Sequence, residues 1–407
     1  MKHRIVHIAI GFLEILCIIP LIILCAFSRL KKRNIDIGLG PEPLINNIHH
    51  SKALKLYGYS SETFVYDYWY ISKNFDKVFS FENKYLMFVF ERILFVGFIY
   101  VVMKYRCIYI YFNGGPLHRS IILWRIEPLL LKMANIRVVV MPYGSDIQIL
   151  DLTPNLYFRN CMCQDYPMNK IRYSRLNIQR TLWIKYADFV IGGCDWVDYL
   201  YHWDRLLVAH FSIDIEYVLK IATTKNCANR YKINEKSNPF VILHAPNHRS
   251  IKGTAFVIAA IEELKNEGVN VELVLAERKS NEEIIELIQK SDLVVDQLVI
   301  GWYAMFAIEA MTLSKPVVCF LRDDLRNLYT SAGLIKINDP PLINATVLTI
   351  KEVLRKCIQR DIDIDCYAAR GYEYVKEMHS LEAIGNVFDQ INRSVGITPN
   401  TERLERH

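Results

Sequence analysis

The chain has 407 residues, 52% hydrophobic and 23% charged, which supplies enough apolar side chain for two packed cores and excludes an intrinsically disordered protein. Lys and Arg number 49 against 43 Asp and Glu, a net charge of +6. That excess is too weak and too evenly spread for a nucleic-acid binder, and it suits anionic lipid or phosphorylated small molecules equally well. Ten cysteines are scattered along the sequence, and Cys161 and Cys163 lack the second pair and nearby His of a zinc site, so reduced thiols are expected.

The first feature in chain order is an apolar run from Ile5 to Phe27, interrupted by one acid, Glu14, and one proline, Pro20. As a helix it would extend roughly 35 Å, enough for a bilayer core. Glu14 should cost a few kcal/mol on insertion, which the many Ile and Leu residues outweigh. A cleaved signal peptide and a helix seated in one leaflet are the alternatives. The exit, Leu24-Cys25-Ala26-Phe27-Ser28-Arg29, offers no small-x-small cleavage site. Arg29, Lys31, Lys32 and Arg33 follow the run while only Lys2 and Arg4 precede it, so a single-pass anchor would leave the body of the protein in the cytoplasm. Residues 1–33 are therefore read as a membrane anchor with a basic flank. A second apolar stretch, Leu86 to Met103, carries Glu91 and Arg92 and is expected as a buried or surface-seated helix.

From residue 34 strand and helix patterns alternate, the signature of parallel sheets with crossover helices. Strands are predicted at Ile35–Leu39, Thr63–Tyr66, Cys107–Phe112, Arg137–Met141 and Ala187–Gly193, with helices at Ile45–Tyr57, Leu86–Lys104, Ser120–Ala134 and Arg172–Ala187. Polar runs at 223–226 and 234–238 bracket an expected linker. The alternation then restarts, with strands at Phe240–His244, Val271–Ala276, Leu293–Val295, Pro316–Phe320 and, more weakly, Leu334–Ile337. Helices fit Thr254–Glu267, Asn281–Lys290, Tyr303–Leu313 and Thr349–Gln359. The expected fold class is α/β, with two Rossmann-like domains, 34–230 and 236–379, facing a cleft. Such sheets bind ligands beyond the carboxyl ends of their strands.

Two loops at such ends carry the chemistry. His244 to Thr254 follows the first strand of the second half and opens a helix with Arg249, Lys252 and Gly253. Two cations and a glycine at a helix start suit a phosphate or diphosphate, and a capped helix with solvated cations is the alternative. Gly301 to Pro316 is the second loop. There Gly301 permits close backbone approach, and Glu309 sits among Phe306, Ala307, Ile308, Ala310 and Met311, where an unpaired carboxylate is expensive and a sugar diol would satisfy it. Glu309 on a wet helix face is the alternative.

These residues, with Lys315-Pro316-Val317-Val318 and Tyr372, Val375 and His379, resemble family 4 glycosyltransferases. Those are retaining enzymes of the two-domain GT-B fold that use nucleotide sugars. The resemblance covers roughly residues 36–393 and is strongest over 240–320. It implies that Arg249 and Lys252, with Gly253, hold the donor diphosphate, and that Glu309 binds the ribose hydroxyls. It also implies that the last helix, within 380–395, crosses back to the first domain. Many members carry a further glutamate near the donor sugar where this chain has Gly301, so the backbone of Gly301-Trp302-Tyr303, with Asp296-Gln297, is expected to take over there.

In the first half, Gly144, Ser145 and Asp146 follow the 137–141 strand and look like the family's loop near the donor sugar. Asp146 is either a catalytic carboxylate or a turn cap. His118, after Asn113-Gly114-Gly115-Pro116, matches the place of a sugar-contacting histidine, and Gly38 and Gly40 would shape the acceptor loop. The resemblance implies a UDP- or GDP-linked sugar as substrate, no separate cofactor and no metal. The acidic run Asp361, Asp363, Asp365 and the pair Asp323-Asp324 read as solvated polar loops. The expected function is transfer of a sugar to a lipid-linked or cell-surface polysaccharide acceptor at the membrane. A nucleotide-sugar epimerase of the same fold, or a non-catalytic partner in a glycosylation complex, are the competing readings.

Overall fold

The computed structural model describes residues 2–68, 73–80, 95–224 and 238–400, without the side chains of residues 2–7, 169 and 224. The chain divides into two compact units. The first holds Met1–Ile149, Ile171–Leu206 and Gly385–His407; the second holds Leu150–Lys170 and Leu207–Ile384. The sequence suggested a crossing near 230–236 and a return within 380–395; the chain passes between units at 149/150, 170/171, 206/207 and 384/385. The expected linker falls largely on 225–237, outside the described residues.

The first unit starts with α1 (Lys2–Ser28), then β1 (Ile35–Leu39), α2 (Ile45–Leu56), β2 (Ser61–Val65), β3 (Lys77–Val78), α3 (Val96–Lys104), β4 (Tyr105–Tyr111), α4 (Glu127–Met133) and β5 (Arg137–Met141). After α5 (Leu156–Asp165), which belongs to the second unit, α6 (Asn169–Tyr186) leads back to β6 (Phe189–Gly193) and β7 (Arg205–Leu207). The seven strands are ordered β3-β2-β1-β4-β5-β6-β7, with parallel registers such as Ile37 opposite Cys107 and Ile110 opposite Val140. Every residue of β4 is buried, as a strand covered on both faces requires. The order reverses between β1 and β4, so the crevice for a ligand lies at their carboxyl ends.

Of the apolar N-terminal run, α1 is the one described helix long and apolar enough to cross a membrane, by length and composition. It packs one-sidedly on its own unit: Gly11, Glu14, Leu21, Cys25 and Ser28 are buried, three or four residues or whole turns apart, while the opposite face is exposed. Glu14 is fully buried because its carboxylate accepts hydrogen bonds from the backbone N–H groups of Ile121 (2.8 Å), Ile122 (2.6 Å) and Leu123 (3.3 Å). It caps the short 3-10 turn Leu123–Arg125, whose leading donors have no intrahelical partner.

The second unit takes α5, α7 (Ile215–Thr224), β8 (Phe240–His244), α8 (Arg249–Lys252), α9 (Thr254–Asn266), β9 (Val271–Leu275), α10 (Asn281–Lys290), β10 (Leu293–Val295) and α11 (Met305–Thr312). It continues through β11 (Val317–Cys319), α12 (Asp323–Ser331), β12 (Ile343–Asn344), α13 (Ile350–Gln359), α14 (Ile364–Met378) and the start of α15 (Leu381–Ser394). The strand order is β12-β11-β10-β8-β9, all parallel, which puts the reversal between β8 and β10. Ile242, Val295 and Val318 of this sheet pack with Val257, Ile261 and Leu264 of α9 and Leu354 of α13.

Several expectations shift. The helix expected over Ser120–Ala134 breaks into the 3-10 turn and α4, whose first turn begins with Glu127-Pro128, where proline's missing N–H costs nothing. Of Leu86–Lys104, only Val96–Lys104 lies within the described residues as α3; 86–94 fall outside them. Leu334–Ile337 is not a strand: Gly333, at φ +68°, ends the turn after α12, and the fifth strand is β12. Asp323-Asp324 is not a loop but the first turn of α12, where acids suit the helix dipole. Asp363 caps α14, accepting from the Cys366 N–H at 3.0 Å.

Candidate functional site

In the second unit the reversal point is built from four strand ends. At the end of β8, His244 donates from Nδ1 to the Val295 carbonyl (2.8 Å) and meets Thr254 Oγ1 through Nε2 (3.0 Å). Burial lowers its pKa to about 4, so it is a neutral tie between β8, β10 and α9. Gly253, at φ +73°, turns α8 directly into α9, and a Cβ there would lie 3.0 Å from Leu298 Cβ. Phe158, Cys161 and Met162 of α5 pack on Ile251 and Val299, and Asp165 accepts the Ile251 N–H at 2.9 Å. Tyr166 OH meets His248 Nε2 at 2.7 Å. The phosphate-type loop is thus clamped from the α5 side, a support that the sequence reading missed.

Both cations assigned to a diphosphate have carboxylate partners. Lys252 is buried, and its Nζ lies 2.6 Å from Asp296 Oδ1 at the end of β10. Among the described residues Asp296 Oδ2, which is buried, has no hydrogen-bond partner. Arg249 is exposed and grips Glu277, after β9, through Nε and Nη2, both at 2.8 Å. This pair holds the Glu277 carboxyl below its usual range. An exposed pair contributes little net stability, so Arg249 can trade its carboxylate for a phosphate cheaply.

Glu309 is on a buried face of α11, not the wet one. Its Oε1 accepts from Asn281 Nδ2 at 2.6 Å, at the start of α10. Burial raises its pKa to about 7, opposed by the Asn281 hydrogen bond and reinforced by the charge of Asp296. Lys252, Asp296, Glu309 and Asn281 therefore make one polar cluster at the strand ends, able to bind hydroxyls and neutralise an anion. Asn281 and Glu277 carried no sequence signal, since their partners lie 28 residues away.

The Gly301 loop is held together from within. Gln297 organises it: Oε1 accepts the N–H groups of Val299 (2.9 Å) and Ile300 (2.7 Å), while Nε2 donates to the carbonyls of Trp302 and Phe320, each at 2.9 Å. The side chains of Trp302 and Tyr303, whose backbone is the part expected beside the donor sugar, are interior. Trp302 Nε1 donates to the Val208 carbonyl (3.1 Å), and Tyr303 OH meets Tyr374 OH (2.9 Å) and His379 Nε2 (3.0 Å). Gly301 has φ +103°, and a Cβ there would come within 2.5 Å of Arg322 Cγ and Cδ. The stem of Arg322 thus occupies the space that an acidic side chain at 301 would need.

In the first unit a cavity of about 510 Å³ sits at the carboxyl ends of β1, β4 and β5, lined by Glu42, Asn113, His118, Ser145 and three arginines, Arg119, Arg172 and Arg175. His118 is half-buried and its Nδ1 meets the Gly115 carbonyl at 2.9 Å. Burial raises the pKa of Glu42, against the pull of its Asn113 hydrogen bond. Asp146, expected as a possible catalytic carboxylate, is fully committed to the backbone. Its oxygens accept the N–H groups of Phe112 (2.9 Å), Tyr143 (3.0 Å) and Gly144 (2.9 Å). Asp146 does not cap a following turn either: its donors all precede it, and it fixes the loop that places Gly144, at φ +129°, and Ser145. Glu127 does the same for the glycine loop, accepting from Gly115 (3.1 Å) and Leu117 (2.6 Å). Gly38 is not in a loop but inside β1, where a Cβ would strike the Tyr105 ring at 2.4 Å; at Gly40 it would strike the Phe64 carbonyl.

No family model matches the chain, and no curated protein matches it. Solved structures match its fold. The Anabaena protein HepE in complex with UDP and glucose matches with a TM-score of 0.55, 12% identity, 89% of this chain and 100% of that one. Sucrose-phosphate synthase from Thermosynechococcus elongatus gives 0.56, 11%, 89% and 99%. Trehalose-6-phosphate synthase, solved in a study of glycosyltransfer with retention, gives 0.55, 10%, 90% and 100%. The chain therefore has the α/β fold with parallel sheets of GT-B glycosyltransferases.

Proposed function

We propose that the chain is a retaining glycosyltransferase that takes a UDP- or GDP-linked sugar and acts on a lipid-linked acceptor at a membrane. The observation that carries the reading is the polar cluster at the β8/β10 reversal point, where fold and chemistry coincide. Glu309, steadied by Asn281, accepts the ribose hydroxyls. Arg249 releases Glu277 and, with Lys252, neutralises the diphosphate as negative charge develops on it. The sugar C1–O bond to the diphosphate breaks while a C1–O bond to the acceptor hydroxyl forms on the same face, and the leaving phosphate oxygen takes the hydroxyl proton. In this reading the side chains supply the charge neutralisation that other transferases draw from a metal ion. Arg119, Arg172 and Arg175 around the first unit's cavity suit an acceptor that carries phosphate. His118 and Ser145 there are placed to contact a sugar, and Asp146 positions their loop.

Titration of the full chain with UDP and with GDP tests this reading. Binding that weakens by about tenfold or more in Glu309→Ala supports it. A folded wild-type chain that binds neither nucleotide overturns it. The second reading, a non-catalytic partner, draws on the Arg322 stem filling the space over Gly301; nucleotide binding without sugar transfer or donor hydrolysis would favour it.

A further inference from the structure

The exposed face of α1 and the basic residues that follow it form one continuous feature that the transferase reading does not use. Ile8, Phe12, Ile15, Ile19, Ile23 and Phe27 are exposed along the helix from Ile8 onward, opposite the face that packs on the first unit. The neighbouring helices against which α1 packs, α3 and α4, add exposed Ile99, Leu129 and Met133. At the C-terminal end of α1 lies a cavity of about 610 Å³ lined by Arg29, Lys31, Lys32, Arg33, Arg106 and Arg137. Arg33 is fixed in place by carbonyls, among them those of Val102 (3.0 Å) and Asn135 (3.3 Å). Among the described residues Arg29, Lys31 and Lys32 make no ion pair, so their charge is available to an anion.

We propose that α1 lies in the plane of an anionic bilayer, its outward apolar face among the acyl chains and the Arg29–Arg33 cavity on the lipid phosphates. The Glu14 contact decides against a helix that crosses the bilayer in this docked position. Glu14 is 14 residues before Ser28, about 21 Å along the helix. A crossing helix would carry its partners Ile121–Leu123, and with them the flanking Arg119 and exposed Arg125, deep into hydrocarbon, where arginine is costly. Laid flat, the helix keeps its capping contact, buries its exposed Ile and Phe, and brings the cationic cavity to the headgroups. Burial of the apolar helix face and attraction of the basic patch to anionic headgroups add to each other in such interfacial binding. This inference does not depend on the transferase reading.

The test uses the full chain, tagged at both ends and added to sealed vesicles of phosphatidylcholine with or without phosphatidylglycerol. An impermeant reagent outside the vesicles should label both tags, and phosphatidylglycerol should strengthen binding. Lys31→Glu with Lys32→Glu should weaken binding to the anionic vesicles by about tenfold or more and leave neutral-vesicle binding unchanged. Ile15→Asp with Ile19→Asp, both on the outward face, should lose binding to either vesicle while the melting temperature stays put. An N-terminal tag reached only from the lumen would show a crossing helix and overturn the proposal. So would indifference to phosphatidylglycerol, or a stable lipid-free dimer that the Ile15/Ile19 variant dissociates.

Discussion

Asp146 and Asp296 occupy similar places in the two units: each follows a central parallel strand and is at most 1% exposed. Their surroundings divide them. Asp146 is neutralised by three backbone N–H groups that cannot move without unmaking the loop. Asp296 is neutralised on one oxygen by the Lys252 ammonium, and its second oxygen has no partner among the described residues. Burial alone therefore does not mark a functional carboxylate. The nature of the partner does, because a side-chain cation can re-aim toward a ligand and a peptide group cannot.

The comparison can be broken first at Asp146. Asp146→Ala should cost on the order of 3–6 kcal/mol, since three buried donors lose their acceptor, and urea unfolding reads the loss. Asp296→Ala should cost somewhat less, about 3–5 kcal/mol, by stranding Lys252. Only the second should also change nucleotide affinity in the fraction that remains folded; equal effects of both on affinity would erase the distinction.

Glu309→Gln sharpens it through pH. The wild-type carboxyl titrates at about 7 in the fold against an ordinary 4.5, so the folded state holds its proton more tightly. Stability from this group is full below about pH 4.5 and is lost as pH rises through 7. The variant should therefore be more stable than wild type near pH 8, by roughly 3 kcal/mol, and indistinguishable near pH 4. Nucleotide affinity of the wild type should rise across the same interval as the carboxylate ionises, while the variant stays flat and weaker. The smallest structural effect is expected for Arg249→Ala: an unchanged melting temperature, with nucleotide diphosphate affinity reduced about tenfold.

Much of the fold was legible because buried parallel strands announce themselves as apolar runs. Arg137–Met141, Phe240–His244 and Leu293–Val295 fall where the sequence put them. β12, with two residues, is too short to carry a pattern, and Leu334–Ile337 imitated one. Glu309 stood out as an acid among apolar neighbours, but its partner Asn281 did not, because an asparagine opening a helix is unremarked in sequence. Glu14 was equally conspicuous, and the backbone donors that accommodate it are more than a hundred residues away. The interior place of the Trp302 and Tyr303 rings was not legible for a related reason: aromatics after a glycine suit a ligand cleft and an interior equally, and Val208, Tyr374 and His379 decide for the interior.

The last helix bears on how the chain is made. Residues 385–400 complete the first unit: Tyr109 OH donates to Asn392 (2.9 Å), Tyr59 OH to Asp389 (2.8 Å), Arg106 to the Thr398 carbonyl (2.7 Å), and Gly385 fits against the Tyr57 ring. During synthesis the first strands leave the ribosome long before these partners exist. The first unit must wait, part-finished, through translation of the whole second unit, which can close earlier. A release factor acting at residue 384 would leave Tyr109, at the centre of the older sheet, with its hydroxyl facing a gap.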